Sequence, residues 1–323
     1  MEGPGVTTGD GHGVGPDAVA EFLRGLREGV EEGLGPLSAA QRAAGGMPDA
    51  LREALQRAGQ RLRGDYAEDE WGFDEEYAEA VTPFFEFLYD VWWRVRSTGL
   101  DNVPARGRAM LVANHAGSVF PFDASMMTAA IRTQHSLPRW PRFMVLDWAF
   151  VLPFLSAFMR RVGGVPANPE NATRLLEQDQ LLMVFPEGVK GTGKPFSERY
   201  RLQRFGRGGF VEVALRTRSP IVPVAVVGSE EIYPKLGESR TLARLVGAPF
   251  VPITPTFPWL GPLGLVPLPS RWRVEFCEPI DLSGHPPDAA DDRQLVFDLA
   301  EQVRETIQHK LYENLVLRGS AFL

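Results

Sequence analysis

Apolar and polar positions change their period along this chain. From Arg108 onward, short apolar runs alternate with amphipathic stretches, the pattern of an α/β domain with a largely parallel sheet. The runs predict strands over Ala109–Ala113, Arg142–Leu146, Leu181–Phe185, Ile221–Val227 and Trp272–Phe276. Helical spacing predicts helices over Asp123–Arg132, Phe150–Arg161, Pro169–Glu177, Gly208–Arg216 and Asp291–Leu317. Upstream, residues 1–46 are rich in Gly, Ala and charge, with a helical pattern only over Ala18–Glu32, and residues 48–63 read as a charged helix. Asp65–Asp74 is an acidic connector. Over Glu75–Val95, Phe84, Phe85, Phe87, Leu88, Val91, Trp92 and Trp93 crowd a helical stretch containing Pro83. Such an aromatic stripe is read first as core and alternatively as a lipid-interface face. The expected architecture is α/β, a mostly parallel central sheet flanked by helices, with a helical N-terminal extension over residues 1–80 and the main domain over 81–323.

Two apolar stretches bear on membranes. Phe143–Met159 is interrupted by Asp147 and Pro153, so it reads as buried core and not as a span. Leu245–Ser270 carries no charge and seven prolines, which remove backbone donors and forbid a spanning helix. It is expected to be a long apolar loop that covers the sheet edge, lines an apolar channel or dips into a bilayer interface.

Composition narrows the function. With 323 residues and 44% hydrophobic content the chain can bury a full core. The formal net charge of −7 is uneven: residues 1–80 hold 17 acidic against 7 basic side chains, leaving 24 against 27 for the rest. An acidic protein is a poor partner for nucleic acid, whereas the mildly basic remainder suits anionic ligands. Cys277 is the only cysteine, which excludes an intramolecular disulfide and a multi-cysteine zinc site and fits a reducing compartment. The N-terminus shows neither a basic start nor an apolar core of a secretory signal. No metal site is expected.

The chemistry centres on Leu111-Val-Ala-Asn-His-Ala-Gly-Ser-Val-Phe-Pro-Phe-Asp123, an apolar strand that stops at Asn114-His115 and reaches Asp123 at the start of a helix. A histidine at a strand end and a carboxylate after a turn can supply a general base and its orienting group. A second run, Leu181-Leu-Met-Val-Phe-Pro-Glu-Gly188, ends in an acidic turn at the same level. No Gly-x-Ser-x-Gly is present, which argues against a nucleophile-elbow hydrolase.

Asn-His followed by Asp, then Phe-Pro-Glu-Gly, then the strand Ile221-Val-Pro-Val-Ala-Val-Val-Gly228, resembles the lysophospholipid and glycerophosphate acyltransferase family over roughly residues 85–280. The usual gap between His and Asp is four residues, and here seven residues separate His115 from Asp123. The resemblance implies that His115 is the base on an acceptor hydroxyl, oriented by Asp123, with attack on an acyl thioester and no covalent acyl-enzyme. It implies that Asn114 and the motif Phe185, Pro186, Glu187 and Gly188 shape the acceptor site. The donor would be acyl-CoA or acyl carrier protein, with no cofactor. The acceptor would be a lysophospholipid or lysophosphatidic acid, alternatively diacylglycerol or a long-chain alcohol, and a non-catalytic lipid-binding protein on the same scaffold is the reading from another class. The enzyme would be cytoplasmic and peripheral on the inner face of the cell membrane.

Beyond the motif, Val189–Gly209 sets Lys190, Lys194, Arg199, Arg201, Arg204 and Arg207 against the single acid Glu198, a stretch expected to bind the phosphates of a substrate. Gly188-Val-Lys-Gly-Thr-Gly-Lys194 is a near miss to a nucleotide-binding P-loop, failing at Pro195, where Ser or Thr would hold magnesium. The family arginine that meets an acceptor phosphate has no counterpart in Gly163–Glu170, so either Arg160 or Arg161 substitutes or the acceptor is another lipid.

Overall fold

The computed structural model of the chain describes residue 32 and residues 68–116, 120–150, 153–246 and 250–322. The helices expected over Ala18–Glu32 and 48–63, and with them most of the N-terminal extension, lie outside the described residues. A seven-stranded sheet runs in the order β1 (Arg96–Thr98), β9 (Arg273–Phe276), β6 (Ile221–Val227), β2 (Ala109–Ala113), β5 (Leu181–Val184), β3 (Arg142–Val145), β4 (Gly164–Pro166). β6, β2, β5, β3 and β4 are mutually parallel, while β9 runs antiparallel to β6 and carries β1 parallel to itself. The fold is the expected one: a mostly parallel central sheet between helices.

The central strand explains why this sheet is covered on both sides. Every residue of Ala109–Ala113 is buried, as a strand between two parallel neighbours requires. Alternation sends Ala109, Leu111 and Ala113 to one layer and Met110 and Val112 to the other. The first layer is filled by α2 (Phe122–Gln134) through Met126, Met127 and Ile131, by Met159 of α3 (Pro153–Arg161), and by Trp93 stacked on Trp272 at 4.8 Å. Opposite them stand α4 (Pro169–Glu177) and, beyond the single-turn α5 (Val189–Thr192), α6 (Gly209–Thr217) and α8 (Arg293–Arg318), which with α4 contribute Leu175, Leu176, Val211, Leu215, Val303, Ile307 and Leu311.

The aromatic stretch is mostly core. It forms α1 (Glu75–Phe87) and a π turn over Leu88–Trp92. Asp74 caps α1, its side chain accepting from the Tyr77 N–H at 2.9 Å. α1 passes through residue 80, and Tyr77 and Val81 pack with Phe158 and Val162 of the main domain. Trp93 is fully buried, and Trp92 and Trp93 donate their indole N–H groups to the carbonyls of Pro267 and Leu268.

Leu245–Ser270 is more structured than a loop. The helix α7 (Arg240–Val246) continues into it, β8 (Pro252–Ile253) pairs with β7 (Gly237–Glu238), and Gly261–Leu265 makes a 3-10 turn. Phe250 is buried, whereas Trp259, Leu260, Leu263 and Leu265 stay exposed, Trp259 at 74%. The shortest strands, β1, β4, β7 and β8, carry too few residues for a period to register in sequence. Among the described residues no helix is long and apolar enough to cross a membrane.

Because Leu111 is fully buried at the centre of the sheet, Leu111→Ala is expected to cost about 2–5 kcal/mol of stability. Urea unfolding monitored by circular dichroism measures this as a lowered midpoint.

Candidate active site

The strands β2, β5 and β6 end side by side, and each hands the chain to a loop that carries polar side chains. Parallel pairing sets Val112 beside Val184 and Ala113 beside Val224. His115 therefore stands two residues beyond β2 and Glu187 three residues beyond β5, at the carboxyl edge where α/β sheets gather ligands.

Asn114 makes the first of the contacts that fix His115. Its amide bridges the backbone of Val226, accepting from the N–H at 2.7 Å and donating to the C=O at 2.8 Å. With both amide atoms so engaged and the residue buried, Asn114 is a clamp between β2 and β6, a correction to its expected place among substrate-binding groups. The Phe185-Pro-Glu-Gly motif is a turn closed by the Gly188 N–H on the Phe185 C=O at 3.0 Å. Pro186 supplies the fixed φ of its second position, and Gly188 has φ +54°, which favours glycine. This turn aims the buried Glu187 carboxylate back at β2. Its Oε1 accepts the His115 backbone N–H at 2.9 Å and its Oε2 accepts the Gln203 N–H at 2.6 Å. Phe185 lies against the imidazole, ring centroids 4.7 Å apart.

Asp123 meets His115 despite the long spacing between them. It sits in the first turn of α2, fully buried, and Oδ2 lies 2.9 Å from His115 Nδ1 and 3.0 Å from the Ala116 N–H, which donates to it. An ionised carboxylate only accepts, so Nδ1 carries the proton and Nε2 keeps an unshared pair. The imidazole is 16% exposed and forms part of the wall of a cavity of about 250 Å³. That wall runs from Met110 past Met144 and Met159 to Asn168, Phe210 and Phe250. His115 is its one titratable side chain among the described residues. The arrangement can take a proton from a hydroxyl beside an apolar chain.

A family model described as Acyltransferase matches residues 94–227. An uncharacterized protein of Mycobacterium tuberculosis is 50% identical over 264 residues, spanning 81% of this chain and 74% of that one. A chicken (Gallus gallus) protein described as a DGAT1/2-independent enzyme synthesizing storage lipids is 27% identical over 191 residues, 59% of this chain and 53% of its own. The crystal structure of the 1-acyl-sn-glycerophosphate acyltransferase PlsC from Thermotoga maritima superposes with a TM-score of 0.51 at 19% identity, covering 83% of this chain and 89% of that one. The chain belongs to the acyltransferase family that this family model describes.

Within this acyltransferase, the expected basic residues divide by burial. Lys190, Arg199, Arg201 and Arg204 are exposed, and the Arg199 guanidinium lies 4.5 Å over the Phe196 ring. Lys194 is corrected: it is buried between Glu230 and Glu187, at 2.7 and 3.6 Å, and donates to the Arg201 C=O at 3.0 Å. It faces carboxylates and is not available to a phosphate. In the P-loop-like run Gly191 and Gly193 serve close packing. A Cβ on Gly191 would lie 2.6 Å from the His115 C=O and 2.7 Å from the Glu187 Cβ.

Neither Arg160 nor Arg161 replaces the missing family arginine. Both end α3, which leads into the start of β4, the edge of the sheet opposite His115. Arg160 lies over Phe150 at 4.8 Å and Arg161 pairs with Glu68 at 3.3 Å. Where the acyltransferase motif would place an arginine, Asn168 caps α4 and Pro169 begins it, both on the cavity wall. Cys277 is remote from the chemistry: burial pushes its thiol up to about 12, and its N–H bonds Pro223 near the start of β6.

Phe250 lines the cavity, one of the readings of Leu245–Ser270, whereas sequence reasoning missed Glu230 as the partner of Lys194. The pair Glu230-Glu231, just past the Val-Pro-Val strand, was the available signal for it. Gly191→Ala is expected to push the turn off the His115 loop and lower activity by about 10²-fold while the melting temperature falls only slightly. Turnover and differential scanning calorimetry on the same preparation check both halves.

Proposed function

We propose that this acyltransferase moves a fatty acyl group from acyl-CoA or acyl carrier protein to an uncharged lipid hydroxyl, that of diacylglycerol or a long-chain alcohol. The observation that carries the reading is the apolar cavity, whose wall bears no basic side chain and touches His115. A phosphate-bearing acceptor held there would need a cation. Pro169 stands at the arginine position, Lys194 is paired, and Arg160 and Arg161 are at the far edge. The chicken relative, whose name refers to storage lipids, supports the same acceptor class.

In this mechanism His115 Nε2 takes the proton of the acceptor hydroxyl as its oxygen attacks the thioester carbonyl carbon. Asp123 Oδ2 steadies the imidazolium through Nδ1–H. The tetrahedral centre collapses with cleavage of the C–S bond, the thiolate takes the proton back from Nε2, and ester and thiol leave. The exposed Lys190, Arg199, Arg201 and Arg204 would meet donor phosphates.

Thiol release from acyl-CoA tests the acceptor. Diacylglycerol or hexadecanol is expected to be turned over at least about tenfold faster than lysophosphatidic acid, a difference of about 1.4 kcal/mol in transition-state binding. Preference for lysophosphatidic acid would overturn the uncharged-acceptor reading and leave the acyltransferase.

Such substrates reside in membranes, and we place the enzyme peripherally on a lipid surface. Support comes from the uncharged platform around Trp259, Leu260, Leu263 and Leu265, all exposed. Each such side chain gains roughly 1.5–3 kcal/mol when fully buried, so Trp259→Ser/Leu260→Ser should lower vesicle partitioning by at least about tenfold. Co-sedimentation with phosphatidylglycerol vesicles reads this, and equal binding by wild type and variant would exclude the platform as the anchor.

A further inference from the structure

An ammonium group buried in protein has three protons to place, and those of Lys194 point to one purpose. Its side chain is 5% exposed. The Nζ stands 2.7 Å from Glu230 Oε1, 3.0 Å from the Arg201 C=O and 3.6 Å from Glu187 Oε2. Both carboxylates are nearly inaccessible, Glu187 at 0% and Glu230 at 9% side-chain exposure. Burying three charges is costly unless they neutralise one another and their remaining lone pairs are bonded. Each carboxylate finds its bonds on backbone. Glu187 holds the N–H groups of His115 and Gln203, and Glu230 Oε2 accepts the N–H of Tyr200.

The far end of this array is anchored to α8. Tyr200 sits at φ +66°, its C=O accepts from Gln308 Nε2 at 2.8 Å, and Gln308 Oε1 accepts the Leu202 N–H at 2.9 Å. The Tyr200 hydroxyl donates to Glu231, which pairs with Arg318 at 2.6 Å near the end of the same helix. From α8 to His115 there is thus a continuous series of part-buried polar contacts, and its last member is the backbone of the proposed base.

We infer that Lys194 and Glu230 are positioning residues for His115, holding the Glu187 carboxylate in place so that it grips the His115 N–H. The inference rests on reading His115 as the proton acceptor. Without Lys194 the buried Glu187 carboxylate loses its neighbouring cation and swings toward water, which releases the backbone that carries the imidazole. Charge balance around Lys194 is fine. Burial pulls its ammonium down and the two carboxylates more than offset this, leaving it above its ordinary value, while burial pushes Glu230 up to about 7 against the pull of Lys194. Lys194 returns under Glu187 through a turn in which Gly191 packs against the His115 loop, where a Cβ would lie 2.6 Å from the His115 C=O.

The test uses the full chain and two readouts. In Lys194→Met, hydrogen exchange of the His115 amide should accelerate by about tenfold or more relative to amides of β6, since its acceptor is loosened. In the same variant kcat should fall by about 10²-fold with KM held within about twofold, because the loss is of orientation and not of binding. Lys194→Met/Glu230→Gln removes both members of the pair and guards against misfolding. It should regain melting temperature over the single variant yet keep the low kcat. Unchanged His115 exchange in a folded variant, or wild-type kcat in the double variant, would overturn the inference. Absence of acyl transfer in the wild type would instead sink the functional reading, with the exchange measurement still deciding the relay.

Discussion

A carboxylate taken out of water has to be satisfied, and the way Glu187 is satisfied organises the site. Its two oxygens bind backbone N–H groups from two different loops, one of them that of His115. The His115 N–H donated to the Glu187 carboxylate ties the loop after β2 to the loop after β5. Asn114 does the equivalent work toward β6 with a neutral amide. The imidazole is thus held by its own backbone on one side and by Asp123 through Nδ1 on the other, which leaves Nε2 the nitrogen able to act.

This frame also explains what surrounds the site. The cavity that ends at His115 draws on both layers of the sheet: Met110 comes from one, Met159, Val145 and Phe185 from the other, whose remaining space α2 and the stacked tryptophans fill. An apolar wall on the chain side and a single titratable group at the mouth suit a reaction in which a long hydrocarbon must be held while one proton moves. A lysine and three carboxylates buried behind the site stabilise its shape and not a ligand.

Much of this was legible in the chain. Ala109–Ala113 and Ile221–Val227 emerge with the predicted bounds because both faces of these strands are buried and their sequences are unbroken apolar runs. His115 and Glu187 were readable because strand ends deliver them, and the seven-residue gap to Asp123 closes because Asp123 enters on the first turn of α2. Misread residues share one physical cause: a sequence displays charge but not its partner. Lys194 looked like a phosphate ligand because Glu230 lies far along the chain, and Asn114 looked like a substrate contact because its partner is the backbone of Val226. Leu245–Ser270 appeared uniform, yet Phe250 turns inward to the cavity while Trp259 and Leu260 face out. Hydrophobicity alone does not separate the two.

The account stands most directly on the imidazole, and the turnover of His115→Ala measures it. The backbone anchor on Glu187 does not require a ring, so the variant should fold, with a melting temperature lowered because the buried Asp123 carboxylate keeps only the Ala116 N–H. Its rate of thiol release from acyl-CoA in the presence of a lipid hydroxyl should fall by about 10²- to 10⁴-fold. Near wild-type turnover by a folded His115→Ala protein would contradict the account at its centre.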